Sequence, residues 1–176
     1  MIRARTRSVD ATRALAAALA ELARPGDLLL LAGELGAGKT AFAQGFGLAL
    51  GVTEPITSPT FTLASQYLGR LELNHLDVYR LEQLNEVLDI GLPEMLDEGG
   101  VTLVEWGDSI IPALPADYLL IRFSYGTGDD DRLLVLEPVG GGWSARRRVL
   151  ASALSEWLDA ELDAGPDRAA DPEVDS

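Results

Sequence analysis

Gly33-Glu34-Leu35-Gly36-Ala37-Gly38-Lys39-Thr40 is the stretch from which the rest of this chain is best read. It follows the pattern of a glycine, four free positions and then Gly-Lys-Ser/Thr, which cradles nucleotide phosphates. Such a loop must bend tightly and aim backbone N–H groups at an anion. Gly36 and Gly38 permit the backbone angles and close approach that a Cβ would block. A helix starting at the end of the loop would turn its positive pole to the same anion. Ahead of the loop, Leu28-Leu29-Leu30-Leu31-Ala32 is an apolar run of buried-strand length; behind it, Phe42, Phe46 and Ala49/Leu50 recur at helical spacing. Strand, loop, helix is the order the site requires. Gly33, Gly36, Ala37 and Gly38 are therefore expected to line a phosphate, Lys39 to set its ammonium on the β- and γ-phosphates, and Thr40 to hold Mg²⁺ through its hydroxyl.

Composition singles out Lys39 again. Fourteen residues are basic, and every one but Lys39 is arginine. A guanidinium fork is larger and flatter than an ammonium and does not suit a loop wrapped around phosphate. With 176 residues and 47% hydrophobic content, one domain with a substantial core is expected. The absence of cysteine excludes disulfides, thiolate metal sites and cysteine nucleophiles. No apolar segment follows Met1-Ile2-Arg3-Ala4-Arg5-Thr6-Arg7, and no window approaches the length of a membrane span, so a soluble cytoplasmic protein is expected.

The net charge of −14 is unevenly placed: from Glu156 to Ser176 eight acidic residues face only Arg168. Gly165-Pro166, Pro172 and the lack of apolar periodicity point to a disordered acidic tail over 164–176, behind a single domain over 1–163. The body remains negative and is poorly suited to grip a nucleic-acid backbone by itself. Arg146-Arg147-Arg148, the only basic run, reads as solvated turns of a C-terminal helix.

Taken in order, residues 2–7 form a first strand, and Ser8 or Asp10 caps a helix that runs to about Ala23, before Pro25-Gly26. Lys39–Leu50 is the helix after the phosphate loop, ended by Gly51. Phe61–Leu68 and Leu71–Val78 read as strands joined by Gly69-Arg70, where glycine at the first turn position suits a type II′ hairpin. Leu81–Leu96 is helical, split near Gly91 and Pro93. Val101–Val104 is a second buried strand, Tyr118–Phe123 and Arg132–Glu137 form a hairpin, and a last helix spans Ser144 to about Leu162. The fold expected is α/β, a mixed sheet like that of phosphate-loop NTPases, with a parallel core, antiparallel hairpin strands and flanking helices.

Phosphoryl transfer needs a metal carboxylate and a group that positions the nucleophile. Glu105 ends an apolar strand of the kind that lies beside the phosphate-loop strand, and is the metal candidate. In Asn74-His75-Leu76-Asp77-Val78-Tyr79-Arg80, strand alternation puts His75, Asp77 and Tyr79 on one face. Asp77 is the candidate to orient, or take a proton from, an attacking water. His75, the only histidine, reads as a hydrogen-bonded wall residue rather than a catalyst. Arg80 reads equally as a phosphate or partner contact and as a surface cap. Thr60, in Thr57-Ser58-Pro59-Thr60-Phe61, is a candidate switch residue that senses γ-phosphate, and Trp106 reads as a packing residue.

Four motifs in this order, Gly-Glu-Leu-Gly-Ala-Gly-Lys-Thr, Ser-Pro-Thr-Phe-Thr-Leu, His-Leu-Asp-Val-Tyr-Arg-Leu and Val-Glu-Trp, resemble the TsaE family over about residues 8–140. That resemblance implies an ATPase of bacterial threonylcarbamoyladenosine synthesis on tRNA. It would use ATP and Mg²⁺, hydrolyse slowly alone, and join TsaD and TsaB, which themselves hold the tRNA. By position, the resemblance assigns Lys39 and Thr40 to phosphate and metal, Glu105 to the metal, Asp77 to the essential strand acid, and Thr12 and Arg132 to the surroundings of the nucleotide. Glu34 where aspartate is common, Gly107 where proline often follows the tryptophan, and the acidic tail depart from the family pattern. Two other readings stay open. One is a small-molecule kinase using the same loop, although only Arg80 follows Asp77 where such kinases carry arginine-rich lids. The other is a nucleotide-dependent binding module without turnover.

Overall fold

The computed structural model describes residues 1–59, 63–79, 81, 86, 89 and 91–159. Among them the chain runs β1 (Ile2–Thr6), α1 (Val9–Ala20), β2 (Leu28–Ala32), α2 (Lys39–Ala49), β3 (Ala64–Tyr67), β4 (Leu73–Asp77), α3 (Leu92–Asp97) and β5 (Val101–Glu105). A 3₁₀ segment (Gly107–Ala113) then leads to β6 (Tyr118–Tyr125), β7 (Arg132–Val139), α4 (Gly141–Ala145), α5 (Arg147–Ala153) and a final 3₁₀ turn (Ser155–Trp157).

The strands form one sheet in the order β1-β7-β6-β2-β5-β4-β3. β6, β2, β5 and β4 are mutually parallel, and antiparallel pairings with β7 and β3 flank them. All five residues of β2 are buried, because a central parallel strand packs on both faces and has no solvent side on which to place polar residues. Leu29 and Leu31 join Leu103, Leu119 and Ile121 under α1 and α2, while Leu28 and Leu30 join Leu76, Val104 and Leu120 on the opposite face. A fully buried leucine contributes roughly 1.5–3 kcal/mol, so the strand feeding the glycine loop 33–38 is also a main anchor of the core. The mixed sheet with a parallel centre, antiparallel outer strands and flanking helices is the architecture expected from the sequence.

Ser8 is the cap of α1, its Oγ accepting from Ala11 N–H at 3.0 Å, while Asp10 lies in the first turn. The helix stops at Ala20 rather than Ala23, because the last N–H groups tighten to i−3 bonds, Leu22 to Leu19 and Ala23 to Ala20. Helices α1 and α2 cross closely at Gly45, where a Cβ would lie 2.2 Å from the Arg13 carbonyl oxygen. No helix among the described residues is long and apolar enough to cross a membrane.

Three expectations are corrected. The connection between β3 and β4 is longer than two residues, and Gly69 is not in the left-handed region, so it is not a type II′ turn. Glycine is needed at position 69 for proximity instead, since a Cβ there would meet the Leu50 carbonyl oxygen at 2.4 Å. The single C-terminal helix is broken into α4, α5 and the 3₁₀ turn, after which Leu158 turns extended and bridges to Ala4 of β1. The break falls at Arg146, and this arginine is buried rather than solvated. Its guanidinium lies 3.8 Å over the Trp143 ring and holds Asp27 through two bonds of 2.9 and 2.5 Å. Gly91, at φ 76°, caps α3, which covers the C-terminal part of the helix expected over Leu81–Leu96. The rest of that helix, Arg80, and the tail over 164–176 lie largely or wholly outside the described residues.

Candidate functional site

At the end of β2 the chain enters the loop 33–38 in conformations few side chains adopt: φ is 142° at Gly33, 77° at Gly36 and 107° at Gly38. A Cβ on Gly33 would stand 2.6 Å from the Phe123 carbonyl oxygen, so β6 presses the loop into its bend. Ala37 N–H bonds the Glu34 carbonyl at 3.1 Å and Tyr125 Oη donates to the Leu35 carbonyl at 2.6 Å. Helix α2 begins at Lys39, and its first bond from within is Phe42 N–H to the Gly38 carbonyl at 2.9 Å. The N–H groups of Lys39, Thr40 and Ala41 therefore have no carbonyl one turn back, and they present the positive pole of the helix to the loop.

Lys39 is 5% exposed. Its Nζ donates to the Gly33 and Glu34 carbonyls at 2.7 and 2.8 Å and sits 4.0 Å over the Trp106 ring. Burial pulls its pKa below the ordinary lysine value, and the charges of Glu105, Asp77 and Asp108 oppose that fall. Thr40 Oγ1 donates to Glu105 at 3.1 Å (Oε1) and 3.3 Å (Oε2). The parallel register explains how the two acids meet: Leu31 of β2 pairs with Glu105 of β5, which pairs with Asp77 of β4. Both carboxylates thus emerge at the C-terminal strand tips, beside the start of α2. Asp77 Oδ2 accepts from Ser58 Oγ at 2.8 Å, and Oδ1 from Tyr79 N–H at 3.0 Å.

A cavity of about 400 Å³ lies among Gly36, Gly38, Lys39, Thr40, Asp77 and Glu105, closed by Leu35, Ala41, Ser58 and Trp106. It brings together six of the residues selected from sequence. Gly33, pressed against Phe123, and the fully buried Ala37 belong to the same loop but do not line this cavity. Thr12 is buried against Thr6, their hydroxyls 2.7 Å apart, and its methyl reaches toward Gly38. Arg132 lies on the outer side of the same loop, donating to the carbonyls of Asp129 and Asp131 at 2.8 Å and of Gly36 at 3.4 Å. Thr60 lies outside the described residues.

Trp106 and Ser58 were not selected from sequence. Trp106 has φ 61°, uncommon for a bulky residue, and packs its ring 4.6 Å from that of Tyr79 as well as under Lys39. No sequence signal marks a tryptophan in that conformation. Ser58 has a signal in the hydroxyl-rich stretch Thr57-Ser58-Pro59-Thr60, but its partner on β4 depends on the fold.

The donor set suits a hard cation. Thr40 and Glu105 offer oxygen ligands side by side, and the described residues hold no group of three or more His, Cys, Asp or Glu that would form a closed metal site. An ion here would complete its shell from water and ligand oxygens, the habit of Mg²⁺ with phosphates.

The comparisons bear on the same region. The family model described as Threonylcarbamoyl adenosine biosynthesis protein TsaE matches residues 6–133. A Bacillus subtilis protein named tRNA threonylcarbamoyladenosine biosynthesis protein TsaE is 44% identical over 152 residues, covering 86% of this chain and 92% of its own length. A protein of the same name from Streptomyces coelicolor is 39% identical over 139 residues, covering 75% and 93%. The crystal structure of Bacillus subtilis YdiB superposes with a TM-score of 0.74 at 37% identity, covering 86% of this chain and 97% of that one. With the family match spanning the glycine loop 33–38, both strand acids and the β6–β7 turn, the chain belongs to the TsaE family.

Proposed function

We propose that this protein is a Mg²⁺-dependent ATPase of tRNA threonylcarbamoyladenosine biosynthesis, acting in the cytoplasm in a complex with TsaD and TsaB. One observation carries the reading: Lys39, Thr40, Glu105 and Asp77, from three elements, converge on one cavity at the end of the glycine loop 33–38. Loop N–H groups and the first turn of α2 bind the phosphates. Lys39 exchanges its bonds to the Gly33 and Glu34 carbonyls for phosphate oxygens. Thr40 and Glu105 hold Mg²⁺, which supplies neutralisation of the charge on the transferring phosphoryl group. Asp77, fixed by Ser58 and the Tyr79 N–H, orients the attacking water and accepts its proton. Thr12 and Arg132, set against Gly38, wall the rest of the nucleotide.

Phosphoryl transfer to water also benefits from a cation on the developing charge, worth roughly 10³–10⁵ in rate where an arginine supplies it. Arg132 is engaged by carbonyls of its own hairpin turn and of Gly36. In this reading a partner subunit supplies that cation, and the partners carry the tRNA, in keeping with the negative charge of this chain. The test is phosphate release by the protein alone, with TsaD and TsaB, and with a panel of small phosphate acceptors. Slow release that rises with the two subunits is the expected result. A phosphorylated acceptor would replace this reading with a kinase, and nucleotide binding without release under any condition would replace it with a binding module.

A further inference from the structure

His75 is completely buried in the centre of β4, although it is the only histidine in the chain and lies outside the cavity lining. Its Nε2 is 2.8 Å from Glu105 Oε1. The two side chains share a face of the sheet because β4 and β5 are parallel with Asp77 opposite Glu105, which places His75 one diagonal step away. A carboxylate only accepts, so Nε2 carries the hydrogen and donates it. The other ring nitrogen, Nδ1, is buried and has no hydrogen-bond partner among the described residues, where the ring's one polar engagement is with Glu105. Glu105 is itself 3% exposed, and its other hydrogen-bond donor among the described residues is Thr40.

We propose that His75 is the positioning residue for Glu105: its Nε2–H locks the carboxylate so that it faces Thr40 and the metal position. This rests on the reading of the site as one for Mg²⁺ and nucleotide. A glutamate carries one more rotatable bond than an aspartate, and its charge is almost wholly removed from water here. Left with Thr40 alone, the carboxylate would lose its shortest bond and be free to rotate away from the ion. Hydrogen bonds that orient a metal ligand typically account for 10–100-fold in metal affinity. The apolar residues on the same face as His75, Leu73 on its own strand and Leu103 paired beside it, gain nothing from a histidine that a leucine would not give.

The test compares wild type, His75→Leu and His75→Gln. Leu fills the volume without a donor, and Gln places an N–H near the position of Nε2. Binding of a fluorescent ADP analogue is followed, first in EDTA and then as Mg²⁺ is titrated in, with thermal melts to establish folding. The expected result is a Mg²⁺ midpoint raised about 10–100-fold in His75→Leu, unchanged metal-free nucleotide affinity, and recovery to near wild type in His75→Gln. A folded His75→Leu with the wild-type midpoint overturns the proposal, as does a Gln variant as impaired as Leu. If wild type itself gains no affinity from Mg²⁺, the metal reading fails and takes this inference with it. Because the chain has one histidine, ¹⁵N NMR of the unaltered protein gives a second test that needs no variant. The Nε2–H tautomer, with a shift on adding Mg²⁺ to the ADP complex, is expected; the Nδ1–H tautomer refutes the proposal.

Discussion

Replacing Lys39 by Met keeps the apolar stem and removes only the ammonium, so its effects on stability and on binding separate cleanly. For stability the terms oppose. The ammonium makes two bonds to carbonyls, 2.7 and 2.8 Å long, and a charged hydrogen bond contributes about 1.5–3 kcal/mol. Against that, taking an ion out of water costs several kcal/mol even after relaxation, which is the effect that lowers the pKa of Lys39. The two nearly cancel, and a residual of about 1 kcal/mol moves Tm by no more than about 4 °C for a domain of this size. For binding nothing cancels. A unit charge about 4 Å from a phosphate oxygen, in surroundings of effective dielectric near 20, is worth about 4 kcal/mol, nearly a thousandfold in Kd. Giving up the bonds to Gly33 and Glu34 lowers that figure, and the multiple charges of a diphosphate raise it. ADP affinity in Lys39→Met should therefore fall about 10²–10³-fold, with the melting curve almost unmoved. Titration with a fluorescent ADP analogue, alongside a thermal melt, measures both. A folded variant that binds ADP within about tenfold of wild type would refute the assignment of Lys39 to phosphate.

Asp77→Asn should bind ADP as wild type does yet lose about 10²–10⁴ in partner-stimulated hydrolysis, the usual contribution of a positioned base; equal turnover in a single-turnover assay with TsaD and TsaB would remove Asp77 from the chemistry. Raising pH should weaken ADP binding before an ordinary lysine titrates. Burial lowers the pKa of Lys39 in the folded protein, a phosphate beside it favours the charged form, and binding therefore takes up a proton in that window. In the same window the unliganded fold gains stability with pH, since the unfolded chain holds the proton longer; an ADP affinity flat up to the ordinary lysine range would contradict this. Asp27→Asn leaves the Arg146 guanidinium buried without its counter-charge, which should cost about 3–5 kcal/mol and lower Tm by roughly 6–20 °C, read by calorimetry; a shift of a degree or two would show that the pair is solvated.

Local chemistry alone was enough to determine much of this protein. A buried-strand run, a glycine loop and a helical repeat in direct succession place strand, loop and helix at 28–49, because each depends on residues within a few positions of one another. The burial of β2 on both faces and the start of α1 at Ser8 or Asp10 were legible for the same reason, the structure choosing Ser8 as the cap. Glu105 was legible as a candidate because it ends an apolar run, and Asp77 because strand alternation sets it with His75 and Tyr79 on one polar face. What only the tertiary structure decided is who touches whom. The parallel register of β2, β5 and β4 sets the two acids side by side, and a one-residue slip, invisible in composition, would send them to opposite faces. The left-handed turn that swings Trp106 under Lys39, the reach of Ser58 to Asp77 and the withdrawal of Arg146 from solvent to Asp27 are likewise long-range. A tryptophan, a serine and an arginine of a basic run carry no mark in the sequence of the partner they will find; packing between distant segments, which pattern and propensity do not encode, assigns it.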